Sequence, residues 1–307
     1  MSKGKILMSQ PIHEAGIKFI TDQGYEARVA PDFSEATLIK EVQDAQGLLV
    51  RTAEIPASVI NAGKQLKVIA RHGVGYDNID VKAATARKIP VCITPRANAL
   101  SVAEHVLAFM LAWAKRIVPY DAATRKNDWD VRNSYGACDL DGKTIGILGM
   151  GRIGMLVCQK AKAAFNMEVL AYDPLVPREA MEKAGARVAT IPEILMAADF
   201  VTLHVPSNPE TKGMIGEAQF KMMKRSAFLI NCARGRIVDE AALVKALKDG
   251  PIAGAGLDVF DPEPPTADNP LFGLPNVLLS PHSAGLTVEC VIRMATHAAQ
   301  AIVDVLE

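Results

Sequence analysis

Three polar side chains stand just beyond apolar runs in the later part of the chain. Arg234 lies in Asn231-Cys232-Ala233-Arg234-Gly235, Glu263 in the stretch from Asp258 to Pro265, and His282 in Ser280-Pro281-His282-Ser283-Ala284-Gly285. An imidazole changes charge near physiological pH and can hand a proton to a carbonyl oxygen. A carboxylate hydrogen-bonded to that ring fixes its tautomer and favours the protonated form. A guanidinium presents a planar fork to a carboxylate and can also polarise a carbonyl. Together these groups suit reduction of a 2-keto acid, provided a hydride donor is bound. Glu263 lies between prolines, which restrict its backbone. Taken singly, each residue has a plainer reading: His282 as a turn residue, Glu263 as a solvated carboxylate, Arg234 as a surface charge at a helix start. Their shared placement after strands joins them, because loops at the carboxyl ends of parallel strands converge on one crevice.

The hydride donor is indicated upstream. The apolar run Ile145 to Leu148 leads into Gly149-Met150-Gly151-Arg152-Ile153-Gly154, a G-x-G-x-x-G. Ile153, Leu156, Val157, Ala161 and Ala164 then recur at helical steps. Gly149 permits the tight turn, Gly151 lets the backbone approach a pyrophosphate, and Gly154 lets the helix pack on the strand. The helix start offers free N–H groups and a positive dipole end to phosphates. A second strand, Met167 to Tyr172, ends in Asp173, 19 residues after Gly154. A carboxylate there suits an adenosine ribose. It repels a 2′-phosphate, and Pro174, Leu175 and Val176 bring no positive charge, so NAD is expected over NADP. Arg178, the nearest cation, could be only a solvated helix-start residue.

The elements around these motifs alternate between strand and helix. The early half reads as strands at Lys5 to Ser9, Ala27 to Val29, Gly47 to Val50, Leu66 to Ala70 and Val91 to Ile93, with helices between them. That alternation implies a parallel sheet with crossover helices. A long apolar helix starts near Asn98 and is expected to run to about Val118. His105 sits inside it with no polar partner in view, and is read as packed or capping. Asn127 to Leu140 is polar and irregular, either an arm for a second subunit or a connector. Further strands are expected at Arg187 to Ala189, Phe200 to His204, Ala227 to Asn231, Gly254 to Val259 and Val277 to Leu279. The final helix, Thr287 to Leu306, carries Val291, Met294, Ala295, Ala298, Ile302 and Val305 on one face and can return to the first domain. The expected fold is α/β, with two Rossmann-like, doubly wound parallel-sheet domains. Residues 1–97 plus 286–307 would form a discontinuous substrate domain, and residues 98–285 the NAD-binding domain.

Two early loops are candidates for substrate. In Arg71-His72-Gly73-Val74-Gly75-Tyr76-Asp77-Asn78 the glycines permit close approach, and backbone N–H groups could meet a carboxylate. Arg51 follows the strand ending at Val50. Plainer readings are an ordinary turn and a surface charge.

Bulk properties narrow the class. The chain has 307 residues, half of them apolar, which suits about two domains. Its formal net charge is zero, so there is no basic field for nucleic acid or an anionic membrane. Five scattered cysteines without C-x-x-C indicate neither zinc nor a disulfide framework, and no metal is expected. Buried thiols in a reducing cytoplasm are expected. The start, MSKGKILMSQPI, is too short and polar for a signal peptide. The apolar helix carries Glu104, His105, Lys115 and Arg116, which argues against a membrane span.

The chain resembles the D-2-hydroxyacid dehydrogenase family, in its phosphoglycerate-dehydrogenase-like branch. The matching runs are Gly73 to Asn78, Leu140 to Gly154, His204-Val205-Pro206, Asn231 to Glu240, Gly256 to Pro264 and Ser280 to Gly285. The resemblance implies catalytic roles for Arg234, Glu263 and His282. It implies NAD contacts at Arg152, Ile153, Asp173, Cys232, Ala233, Arg234 and Asp258, the last meeting the nicotinamide amide. Val74 and Val102 fall at further cofactor-lining positions, with Val74 where some relatives have Thr. His204, Pro206 and His282 are counted with the cofactor positions. Arg51, His72, Gly73, Val74, Gly75 and Arg234 are counted with the substrate. The family implies a homodimer through the nucleotide domain and hinge closure over a small 2-hydroxy or 2-keto acid. Many phosphoglycerate dehydrogenases carry a serine-sensing C-terminal domain. This chain stops at Glu307, so that feedback is expected to be absent.

The leading expectation is an NAD-dependent dehydrogenase of a D-2-hydroxy acid, with 3-phosphoglycerate and serine biosynthesis first. Arg51 resembles an anion-binding arginine of that branch, while His72 could favour another small acid. Hydroxypyruvate or glyoxylate reduction is the alternative within the class. A non-enzymatic NAD(H)-sensing scaffold is the alternative outside it, since fold does not determine function.

Overall fold

The computed structural model describes residues 2–307. The chain forms two compact units. One comprises the residues up to Ala99 together with Gly285–Glu307, and the other comprises Leu100–Ala284.

The first unit is built on β1 (Lys5–Met8), β2 (Glu26–Val29), β3 (Gly47–Val50), β4 (Val68–Arg71) and β5 (Val91–Cys92). All pair in parallel, in the order β2-β1-β3-β4-β5. β1 and β3 are buried along their whole length, as expected of strands covered on both faces. One cover is the final helix, Val288–Leu306, which buries Met294, Ala295, Ala298, Ala299, Ile302 and Val303. Val305, expected on that face, is exposed. The row four residues apart from Ala298 through Ile302 leads instead to Leu306, which packs on the core beside Ile6, Met8 and Leu49.

The second unit contains β6 (Thr144–Leu148), β7 (Glu168–Tyr172), β8 (Arg187–Val188), β9 (Phe200–Leu203), β10 (Phe228–Asn231), β11 (Gly254–Leu257) and β12 (Val277–Leu279). They form one parallel sheet ordered β12-β11-β10-β9-β6-β7-β8. Alternate residues of β6 serve two cores. Ile145 and Ile147 join Val157 and Phe228, while Leu148 joins Val201 and Leu243 on the other face. The long apolar helix runs from Ala99 to Ala114 and stops short of the expected Val118. Arg116 takes a left-handed conformation with φ 53°, which breaks the helical path, and a separate helix Ile117–Arg125 follows. Among the described residues, no helix is long and apolar enough to cross a membrane.

Strand register prepares the site. Tyr172, Leu148, Leu203, Asn231, Leu257 and Leu279 stand side by side across the sheet. The next residues, Asp173, Gly149, His204, Cys232, Asp258 and Ser280, therefore leave along one edge. The strand order reverses between β6 and β9, the position where open α/β sheets bind ligands.

Candidate active site

Gly149 begins the turn at that reversal. Its φ is 99°, and a Cβ there would lie 2.7 Å from the carbonyl carbon and oxygen of His204. A Cβ on Gly154 would lie 2.1 Å from the Gly149 oxygen, so the helix and strand could not meet. Gly151 is different, because beyond its own chain neighbours no side chain or backbone comes within 4 Å of where its side chain would start. It caps the 14-residue helix Arg152–Phe165 with no side-chain hydrogen bond to the helix start. Asp173 Oδ2 accepts from Met150 N–H at 2.7 Å, and Oδ1 accepts from Leu175 and Val176 N–H at 2.8 and 3.1 Å. An approachable glycine, an uncapped helix start and a carboxylate beside them fit the phosphates and ribose of a dinucleotide. Arg152 is exposed and Ile153 half-buried at the same helix start, and Pro206 is exposed. Burial pushes His204 down to about 3, so its ring is neutral, and its Nε2 lies 3.0 Å from Thr202 Oγ1.

Arg234, Glu263 and His282 all belong to the second unit. His282 Nδ1 lies 2.7 Å from Glu263 Oε2, and Glu263 Oε1 accepts from Phe260 N–H at 2.9 Å. Burial works to raise the pKa of Glu263. The hydrogen bond and charge of His282, the Phe260 N–H and the Arg234 charge outweigh it and hold the group below the usual carboxylate range. An ionised carboxylate only accepts, so Nδ1 carries the hydrogen and Nε2 is the nitrogen left to face a substrate. The His282 backbone is left-handed, with φ 51°. Arg234 is placed by Asn231, a buried residue at the end of β10. The Asn231 side chain donates to Arg234 O at 2.8 Å and accepts from Ala233 N–H at 3.0 Å. Cys232 is buried, and burial with the Asp258 charge raises its thiol well above the ordinary value, so it is no nucleophile.

Asp258 is fully buried and organises the His282 loop. Its Oδ1 accepts from Ser280 Oγ and from Ser283 N–H at 2.8 Å, and its Oδ2 accepts from Ala284 N–H at 3.0 Å. Its backbone oxygen accepts from His282 N–H at 2.8 Å. His105 also has the polar partner its sequence position did not reveal, since its Nε2 lies 3.0 Å from Ser280 Oγ. Periodicity carried a usable signal: His105 is three residues after Val102 and four before Phe109, both buried. A polar group on such a face needs a partner. Val102 itself packs in the core of this unit.

The remaining candidates lie in the first unit. Arg51 is half-buried after β3, and its Nη1 donates to Pro11 O at 2.7 Å. His72 is buried after β4, with a buried Nε2 that makes no hydrogen bond. Burial, then the charges of Arg51 and Arg71, push His72 down to about 4. Arg71, which its place in the motif did not single out, thus shares this cluster. The His72 and Gly73 N–H groups are committed to Val50 O and Arg71 O, while Val74 and Gly75 are half-buried beyond them.

Known proteins share this architecture. Residues 107–284 match the D-isomer specific 2-hydroxyacid dehydrogenase, NAD binding domain. The chain is 42% identical over 301 residues to D-3-phosphoglycerate dehydrogenase of Archaeoglobus fulgidus, covering 98% of this chain and 57% of that one. It is 40% identical over 308 residues to glyoxylate reductase of Korarchaeum cryptofilum, covering 98% and 92%. The crystal structure of TT0316 protein from Thermus thermophilus superposes with a TM-score of 0.88 at 36% identity, covering 98% and 96%. The chain thus spans little more than half the length of the phosphoglycerate dehydrogenase it matches. Sequence, sheet order and strand-end loops agree: the chain belongs to the D-isomer specific 2-hydroxyacid dehydrogenase family, with residues 107–284 as its NAD-binding domain.

Proposed function

We propose that the chain is an NAD-dependent oxidoreductase interconverting a D-2-hydroxy acid and its 2-keto acid, with D-3-phosphoglycerate as the favoured substrate. The observation that carries this reading is the 2.7 Å contact between His282 Nδ1 and Glu263 Oε2. A bound nicotinamide supplies or accepts the hydride. In reduction, His282 Nε2 gives a proton to the carbonyl oxygen, and in oxidation it takes the hydroxyl proton. Glu263 holds the ring and its tautomer. Arg234 holds the substrate carboxylate. Gly149, Gly151, Arg152, Ile153, Gly154 and Asp173 take the adenosine and phosphate side of the cofactor. His204, Pro206, Cys232, Ala233 and Asp258 flank the rest.

The first unit, up to about Ala99 with the final helix, serves as the substrate domain. Arg51 and Arg71 bring two guanidinium groups to the loops after β3 and β4, the kind of group that recognises a phosphate, and that favours the phosphorylated substrate. Val74 and Gly75 carry the N–H groups the loop can still offer, because those of His72 and Gly73 are used within it. Glyoxylate or hydroxypyruvate reduction is the second reading, favoured by the 40% identity to the glyoxylate reductase of Korarchaeum cryptofilum.

The test is loss of NADH absorbance with phosphohydroxypyruvate, hydroxypyruvate, glyoxylate and pyruvate, compared by kcat/KM. Preference for phosphohydroxypyruvate is expected and would place the enzyme in serine formation. Preference for an unphosphorylated acid selects the second reading. Tight NADH binding without turnover on any acid would leave a sensing scaffold.

The active form is a homodimer through the second unit. The helix Ile117–Arg125 buries none of its residues, and Trp129 and Tyr135 beyond it are 65% and 87% exposed. Apolar surface so grouped is commonly covered by a partner. Light scattering should read twice the chain mass, and a single-chain mass would refute the dimer. Cys158, Cys232 and Cys290 are buried, whereas Cys92 is half-buried and Cys138 exposed, so the expectation of buried thiols holds for three of the five.

A further inference from the structure

His105 lies mid-helix in the second unit, its ring edge-on to Phe109 with centroids 4.6 Å apart and planes at 80°. Its Nε2 is 3.0 Å from Ser280 Oγ and 3.8 Å from Asp258 Oδ1. Proton counting sets the direction of this chain. Ser280 has one hydroxyl hydrogen and directs it to Asp258 Oδ1, which also accepts from Ser283 N–H. The Ser280 oxygen must therefore accept from His105, and Nε2 carries a hydrogen. Asp258 in turn receives the N–H groups of Ser283 and Ala284 on its carboxylate and that of His282 on its backbone oxygen. Every residue from Ser280 to Ala284 except Pro281 is thus bonded to one buried aspartate. His105 is the side chain from outside the loop that closes the set through Ser280.

We propose that His105 is a positioning residue: through Ser280 and Asp258 it holds the Ser280–Ala284 loop in the conformation that aims His282 at Glu263. The loop needs such a hold because His282 sits in the left-handed backbone region, which non-glycine residues seldom adopt unsupported. The kinetic consequence rests on His282 being the proton donor, as argued above, but the link itself does not.

Three variants test it. His105→Leu keeps bulk and removes the donor. His105→Gln returns an N–H at a similar reach. Ser280→Ala breaks the chain from the loop side. With NADH and the fastest keto acid of the panel, His105→Leu should lower kcat about tenfold with KM little changed, the scale of one lost hydrogen bond in a charged network. His105→Gln should recover most of that loss. Histidine ring ¹⁵N spectra of the free protein give the activity-independent reading. The His282 nitrogens should move in His105→Leu and Ser280→Ala and return in His105→Gln. Unmoved His282 resonances and unchanged kcat in the first two variants would overturn the proposal, as would a glutamine variant as impaired as the leucine one. If His105→Leu does not fold, Ser280→Ala decides alone. If the unmodified protein reduces no keto acid, the catalytic reading fails while the spectra still decide the link.

Discussion

His282 follows β12 in the second unit, and its side chain is half exposed with a carboxylate 2.7 Å away. His72 follows β4 in the first unit, and it is buried with the charges of two arginines acting on it. Both are histidines in loops at the carboxyl ends of parallel strands, His282 within a run that resembles a family motif and His72 immediately before one. Their surroundings give them opposite capacities. A carboxylate beside an accessible ring orients it for proton transfer, whereas burial among like charges keeps a ring neutral throughout the physiological range. Residue type and motif position therefore nominate a histidine, and the partner and the water around it decide what it does.

The largest test of this contrast is His282→Ala. Turnover should fall by about 10²-fold or more, the usual size of general acid catalysis, while NADH binding measured by fluorescence titration stays largely intact. Unchanged turnover would remove His282 from the proton-donor role and with it the contrast. A smaller effect is expected from Glu263→Gln, which keeps shape and removes charge. Loss of a charge-assisted hydrogen bond to the ring should cost about tenfold in kcat. A tenfold rise in KM for the keto acid with kcat unchanged would instead assign Glu263 to substrate binding.

The smallest effect concerns stability. His72 is held at about 4 in the folded chain against an ordinary 6.5. Below pH 6.5 the unfolded chain takes up a proton there that the folded chain refuses. Stability from this group is thus fully present above pH 6.5 and falls as pH drops toward 4, by up to about 3 kcal/mol. His72→Ala should flatten the pH dependence of urea unfolding across that window. His204, held at about 3 in the second unit, leaves a residual slope in the variant. An unchanged slope would show that His72 is not buried as described.

The strand–helix–strand unit expected to take the cofactor was largely legible in the chain. Gly149, Gly151, Gly154 and Asp173 lie on one strand–helix–strand unit, where separation in sequence translates directly into position. The alternation of elements likewise pointed to parallel sheets, because apolar periodicity is a local property. Boundaries were read less well. The long helix ends early because Arg116 turns left-handed, and nothing in its apolar pattern announces that. Val305 faces water because the buried row of the final helix continues at four-residue steps to Leu306.

What sequence alone determined, then, is which residues leave the strand ends and which chemistry their types allow: a helix start for phosphates, a carboxylate for a ribose, and an acid–base group, a carboxylate and a guanidinium downstream. Only the tertiary structure decided which of them meet. It set Glu263 on His282 Nδ1, gathered the loop around buried Asp258, joined Arg71 to Arg51 about His72, and brought His105 to Ser280 across 175 residues. The physical reason is that periodicity reports which face of an element is buried, whereas hydrogen bonds between distant elements depend on strand order and register, and leave no trace in local spacing.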